Sequence, residues 1–185
     1  MKRFDNRDKE TFSRDIKFGT MMEQLWMRKC LPEIIKHNIY PGFISLKDNG
    51  IDNTGEFQER SNGNADFIVT TNQGQHPLEV KWAPTKGKIT LKLHDLTGYL
   101  NQGADILVIY NNSNVSLKQP AHTDYSQHWA IIEKYMDKIQ WGIIYNSSIS
   151  KILELTPQKI FYMGGKQGFI INESAFHHYF TLRNF

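Results

Sequence analysis

Phe18, Met22, Leu25, Trp26 and Cys30 recur three and four residues apart, the spacing of an apolar stripe, and predict an amphipathic helix over residues 16–36. Pro32 predicts a kink in that helix or a break into a second one. The first ten residues, MKRFDNRDKE, mix both charges and read as a solvated arm. Residues 39–46 have strand character, and the following KDNGIDNTGE is too rich in Gly, Asn and Asp for a regular element. Strands are predicted over 65–71 and 77–83, a loop over 85–88 (TKGK), and a helix over 91–102 with Leu93, Leu96 and Leu100 on one side. Residues 106–110 form a short, wholly apolar run, the kind of strand that is buried on both faces. Further on, 127–139 reads as a helix and 141–145 as a strand. Short apolar runs broken by MGGKQG fill 151–171, and 176–182 reads as a closing helix. The expected fold is α/β, a mixed central sheet flanked by helices, with a C-terminal α+β extension. One domain over 1–185 is expected, with a core over about 15–112 and residues 113–185 packed on it.

Composition narrows the class. At roughly 150 residues per domain, 185 residues make one domain the default, and such a chain buries about 70% of its unfolded surface without a metal or disulfide. The 22 basic and 19 acidic side chains give a net charge of +3, mildly basic and compatible with a nucleic-acid partner without requiring one. A single cysteine, Cys30, excludes an intramolecular disulfide and a cysteine-cluster zinc site. The longest unbroken apolar run is far short of the ~20 residues that span a bilayer. MKRFDNRDKE has no apolar secretory core, so the expectation is a non-secreted, cytoplasmic protein that does not enter a membrane. The histidines show no pair at helical zinc spacing with a nearby acid, and none is assigned a role.

The candidate chemistry lies in NADFIVTTNQGQHPLEVKW, residues 64–82. Asp66 stands at the mouth of one apolar strand, and Glu79 and Lys81 stand two apart on the next. Alternation places Glu79 and Lys81 on one face and turns Val80 to the other. A two-residue turn at Gln73–Gly74 would pair Ile68 with Glu79 and Asp66 with Lys81, leaving the carboxylates diagonal at about 7–8 Å. A three-residue loop would turn Asp66 to the opposite face, so joint action of the three residues needs a register of the same parity or a bulge. Two carboxylates so placed could grip one hard cation through oxygen. A bound divalent cation lowers the pKa of water and neutralises charge that develops during phosphodiester hydrolysis, and a lysine can stabilise that charge or help orient and deprotonate water. The competing reading of the three residues is a surface salt-bridge cluster, worth little energetically.

An acid followed after about a dozen residues by Glu-x-Lys on the adjacent strand resembles the PD-(D/E)XK nuclease superfamily, the restriction-endonuclease-like fold. The match lies in ADFIVT and LEVKW, with Ala65 where the superfamily usually has proline. DIKFGTMMEQLW resembles the first helix of that fold, and KLHDLTGYLNQGADILVIY resembles the helix and buried strand after Glu-x-Lys, so the resemblance covers about residues 15–110. It implies that Asp66 and Glu79 are metal ligands, that the Val80 carbonyl is a further ligand, and that Lys81 is the catalytic lysine. Glu23 would be the helix carboxylate, acting on the metal directly or through water. The implied cation is Mg²⁺, with Mn²⁺ as substitute. Lys92 and Gln102 fall where such enzymes often carry phosphate- or site-contacting polar residues. Thr20-Met-Met-Glu23 is also a capping-box pattern, in which Glu23 would bond only the Thr20 N–H; a helix continuous from Asp15 would favour the site role instead. Lys86 and Lys88 in the TKGK loop could track a phosphate backbone or be ordinary solvated lysines.

The resulting expectation is a Mg²⁺-dependent endonuclease acting on DNA and selective for branched or junction structure, because no sequence-reading module is recognisable. A homodimer is expected, since a two-fold pair matches a two-fold substrate. Phage and mobile-element nucleases have this size and layout. The alternative is an inactive nuclease-fold module that binds nucleic acid or a protein.

Overall fold

The structure, a computed structural model, describes residues 9–49, 65–119, 124–160 and 165–185. Helix α1 (Lys9–Lys36) passes through Pro32 without a break. Proline removes one N–H from the helix ladder, but Trp26, Met27, Cys30 and Ile34 around it are almost wholly buried. Packing of that face carries the helix past the lost bond. The helix closes at Asn38, which is left-handed at φ 50, with Ile39 N–H donating to the Ile34 carbonyl at 3.0 Å. This cap and the turn after it consume part of the strand expected over 39–46, so β1 (Phe43–Asp48) starts later and takes in Lys47 and Asp48 from the turn-rich stretch. The rest of that stretch, residues 50–56, lies outside the described residues, as do residues 1–8 of the charged arm.

Strands β2 (Phe67–Thr71) and β3 (Gly74–Ala83) form an antiparallel hairpin, with β1 on the outer edge of β2. β4 (Lys88–Lys92) follows, then α2 (Leu93–Gln102) and β5 (Asp105–Asn111), which lies parallel to β3. Beyond them come α3 (Tyr125–Glu133), β6 (Ile139–Ile144), α4 (Asn146–Leu153), β7 (Gln158–Ile160), β8 (Lys166–Asn172) and β9 (Arg183–Asn184). The main sheet runs β1-β2-β3-β5-β6-β9, and a smaller one runs β4-β8-β7. This is an α/β fold with a mixed central sheet flanked by helices and a C-terminal α+β extension.

Two apolar clusters cover the two faces of the main sheet. One joins Met22 and Trp26 of α1 to Leu78, Val80, Leu107 and Ile109. The other joins Leu96 and Tyr99 of α2 to Ile106, Val108, Ile149 and Phe169. β5 supplies both clusters from alternate residues and is buried along its whole length, as its unbroken apolar run predicts. Among the described residues no helix is long and apolar enough to cross a membrane.

Several elements differ from the sequence reading. Ile89 and Leu91 alternate with Lys88, Thr90 and Lys92, and the strand they form pairs with β8, so the helix expected from residue 91 begins at Leu93. The helix expected over 127–139 spans Tyr125–Glu133, capped by Asp124, with a short 3₁₀ turn before Ile139 enters β6. The closing helix is a 3₁₀ segment, Glu173–His178, followed by β9. α4 was not anticipated. Its first N–H, on Asn146, is held by the distant Asp105 carboxylate at 2.7 Å.

Candidate active site

The β2–β3 hairpin sets the geometry. Its register pairs Phe67 with Leu78 and Thr71 with Gly74, so the turn is Asn72–Gln73, one residue earlier than expected. Thr71 closes it: its Oγ1 accepts the Gln73 N–H at 3.1 Å and donates to the Gly74 carbonyl at 3.2 Å. Ile68 therefore faces Pro77, not Glu79, and continuing the register places Asp66 opposite Glu79, not Lys81. The shift is two positions along the partner strand, so face parity is kept. Leu78 and Val80 point into the α1-side cluster, whereas Glu79 and Lys81 point towards α2, on the side of Ala83.

Asp66 stands one residue beyond β2 and replaces a backbone partner with its side chain: Oδ2 accepts the Val80 N–H at 2.8 Å. The N–H and C=O of a strand residue turn to the same edge, so the Val80 carbonyl faces this strand end as well. Asn49 fixes the approach, its N–H donating to the Asp66 carbonyl at 2.8 Å and its Nδ2 to the Ala65 carbonyl at 3.2 Å. Glu79 is 5% exposed. Its Oε1 accepts both the Lys81 ammonium and the Tyr99 hydroxyl, the latter at 2.6 Å. The Lys81 Nζ also lies 5.4 Å from the centre of the Tyr99 ring.

Among the described residues, Asp66 Oδ1 and Glu79 Oε2 accept no hydrogen bond. Glu23, half-buried on α1, adds its charge to theirs. Because α1 is continuous through Thr20, that residue is not a helix start and Glu23 closes no capping box. The Asp66 pKa is pushed up to about 8, by burial first and then by Glu79 and Glu23, with Lys81 and the Val80 N–H acting the other way. Burial works against the charge of Lys81, but Glu79, Tyr99 and Asp66 outweigh it and hold the ammonium pKa well above its usual value. Burial likewise raises the Tyr99 hydroxyl, which stays a donor. Burial and the neighbouring acids thus favour the neutral form of Asp66, while a lysinium and a tyrosine hydroxyl converge on Glu79. Among the described residues no group of three or more His, Cys, Asp and Glu side chains is placed to hold a metal ion.

The basic and amide candidates lie on the chain between the end of β3 and the end of α2. Lys92 precedes α2 and pairs with Asp95 at 3.4 Å, and Asp95 in turn acts on Tyr99. Gln102 is half-buried in the last turn of the same helix. Lys86 is exposed in the turn after β3, and Lys88 is exposed at the start of β4. Sequence reasoning missed Tyr99 and Asn49. Tyr99 lies three residues beyond Leu96, on the inward face of α2, and that spacing could have found it. Nothing in the sequence singles out Asn49.

A second buried carboxylate, Asp105, lies on the other face of the sheet, that of Leu107 and Ile109, and pairs in register with Leu78. Its Oδ2 accepts the Tyr40 hydroxyl at 2.8 Å and its Oδ1 the Asn146 N–H at 2.7 Å. Burial raises its pKa, opposed by those two bonds and by His76.

No protein-family model matches the chain, and no curated protein matches it. Among solved structures, Hjc, a Holliday junction resolvase from the archaeal hyperthermophile Archaeoglobus fulgidus, is similar at 15% sequence identity and a TM-score of 0.43, over 84% of this chain and 93% of that one.

Proposed function

We propose that the chain is a metal-dependent nuclease of the PD-(D/E)XK type that hydrolyses DNA phosphodiester bonds. The observation that carries this reading is Asp66 facing Glu79 across a strand end, each with an oxygen that accepts no hydrogen bond among the described residues, and Lys81 bound to Glu79. The donor set fits a hard cation: two carboxylates and a backbone carbonyl, all oxygen, in a cluster whose acids repel one another. Asp66, Glu79 and the Val80 carbonyl would hold Mg²⁺, or Mn²⁺ in its place, with Glu23 contributing directly or through water. When bound, such an ion lowers the pKa of water and neutralises charge developing on the phosphate.

The chain's own residues do the rest. Asp66 would serve as an oxygen donor in its ionised form, which burial and its acidic neighbours disfavour and a bound cation would favour. Lys81 stays charged, so it acts as an ammonium that stabilises negative charge and orients water, in preference to acting as a base. Glu79 holds that ammonium in place. Lys86, Lys88, Lys92 and Gln102 are the proposed contacts to the DNA backbone. A single nuclease domain over 1–185, active on branched or junction DNA as a homodimer in the cytoplasm, completes the proposal. Pairing of β6 with β5 and of β8 with β4 supports the single domain.

The test is incubation of the full chain with plasmid, single-stranded and four-way-junction DNA in Mg²⁺ or Mn²⁺, alongside Asp66→Ala and Lys81→Ala. Cleavage by the unmodified chain and not by the variants is expected, with the junction cut fastest. Equal cleavage by either variant overturns the assignment. DNA binding that persists in EDTA, with no substrate cut in either metal, establishes the inactive module instead.

A further inference from the structure

We infer that Tyr99 is a positioning residue of this site, fixing which oxygen of Glu79 faces the strand end and where the Lys81 ammonium lies. The inference rests on the nuclease reading for its consequence, but its geometry stands on separate observations. Tyr99 is 4% exposed and reaches Glu79 from α2, an element that carries none of Glu23, Asp66, Glu79 and Lys81. Its hydroxyl and the Lys81 ammonium converge on the same atom, Oε1. Glu79 sits on a strand, and without a partner on the helix its carboxylate could turn about its terminal torsion, which is broad and nearly two-fold. Two donors on Oε1 remove that freedom and, among the described residues, leave Oε2 without a hydrogen bond. The ring acts separately, because the lysinium lies 5.4 Å from its centre. Tyr99 thus touches both working groups of β3 and would touch neither substrate nor cation.

Phenylalanine at position 99 keeps the ring and removes the donor. Tyr99→Phe should melt within a few degrees of the unmodified chain and bind junction DNA equally well in EDTA. Its kcat should fall about 10–100-fold at unchanged KM for DNA, and its Mn²⁺ binding midpoint, read by calorimetry without DNA, should rise severalfold. A second readout needs neither metal nor cleavage: acetylation of Lys81 followed by mass spectrometry, with exposed Lys86 as internal standard. Labelling of Lys81 should rise at least threefold in Tyr99→Phe and further in Tyr99→Leu, which also removes the ring. If kcat, Mn²⁺ midpoint and Lys81 labelling all match the unmodified chain, the positioning role is overturned and the nuclease reading stands. If the unmodified chain neither cuts DNA nor binds Mn²⁺ while Tyr99→Phe still exposes Lys81, the nuclease reading falls and the positioning role remains. A loss of folding shared by both variants, with no folded fraction showing faster labelling, makes Tyr99 a core residue and overturns the inference.

Discussion

Asp66 and Asp105 are both acids withdrawn from water at the margins of one sheet, and burial raises the pKa of each. Around Asp105 the structure is complete. Each oxygen has a donor, and the donors come from the segment after α1 and from the first residue of α4, so the carboxylate ties two distant parts of the chain together. Around Asp66 it is not. Among the described residues one oxygen takes the Val80 N–H, and the side chain meets negative charge from Glu79 and Glu23 that Lys81 offsets only in part. Burial alone therefore does not mark a working acid. A carboxylate whose oxygens are all satisfied is architecture, whereas one set against other acids with an oxygen to spare is prepared for something else.

The largest expected contrast is in activity. Asp66→Ala and Lys81→Ala should each lower kcat for DNA cleavage by about 10³-fold or more, whereas Asp105→Asn should leave it within about threefold, all measured in Mg²⁺ on the same substrate. Stability should run the other way. Asp105→Ala strands the Tyr40 hydroxyl and the Asn146 N–H, at a cost of about 2–4 kcal/mol in urea unfolding. Metal-free Asp66→Asn should instead raise Tm by roughly 2–8 °C at a pH above about 8, where the wild-type carboxyl is forced to ionise among other acids.

The pH dependence of unfolding sharpens the same comparison. The folded Asp105 pKa lies above its unfolded value of 3.8, so the unfolded chain loses this proton first as pH rises. Its contribution to stability is then full below about pH 4 and declines as pH climbs to the folded value. Asp105→Asn should flatten that decline in the metal-free protein, and an unchanged slope would deny Asp105 its raised pKa. Smallest of all, Tyr40→Phe removes one of the two donors and should cost about 1 kcal/mol with cleavage unaffected.

What the sequence made legible follows from local periodicity. The two-residue repeat of β3 puts Glu79 and Lys81 on one face wherever the turn falls, and the apolar run of β5 can only be a buried strand. The turn position was not legible, because Asn72–Gln73 and Gln73–Gly74 are both acceptable two-residue turns and a hydroxyl on Thr71 decides between them. Elements held from far away were harder still. β4 exists through its pairing with β8, and α4 starts where it does through Asp105. Tyr99 belongs with these: its spacing marks it as inward-facing, but only the assembled sheet brings Glu79 within reach of its hydroxyl. Glu23 was ambiguous for a different reason, since a capping pattern and a mid-helix carboxylate are spelled alike until the helix start is known.

β4 runs straight into α2, Lys92 directly preceding Leu93, and among the described residues its sheet partner is β8 near the far end of the chain. The last third of the polypeptide is therefore a splint for the helix that carries the tyrosine. A fragment ending soon after β5 would keep Glu23, Asp66, Glu79 and Lys81 yet take β8 away from the strand that leads into that helix, so the motif-bearing segment by itself is a poor stand-in for the whole.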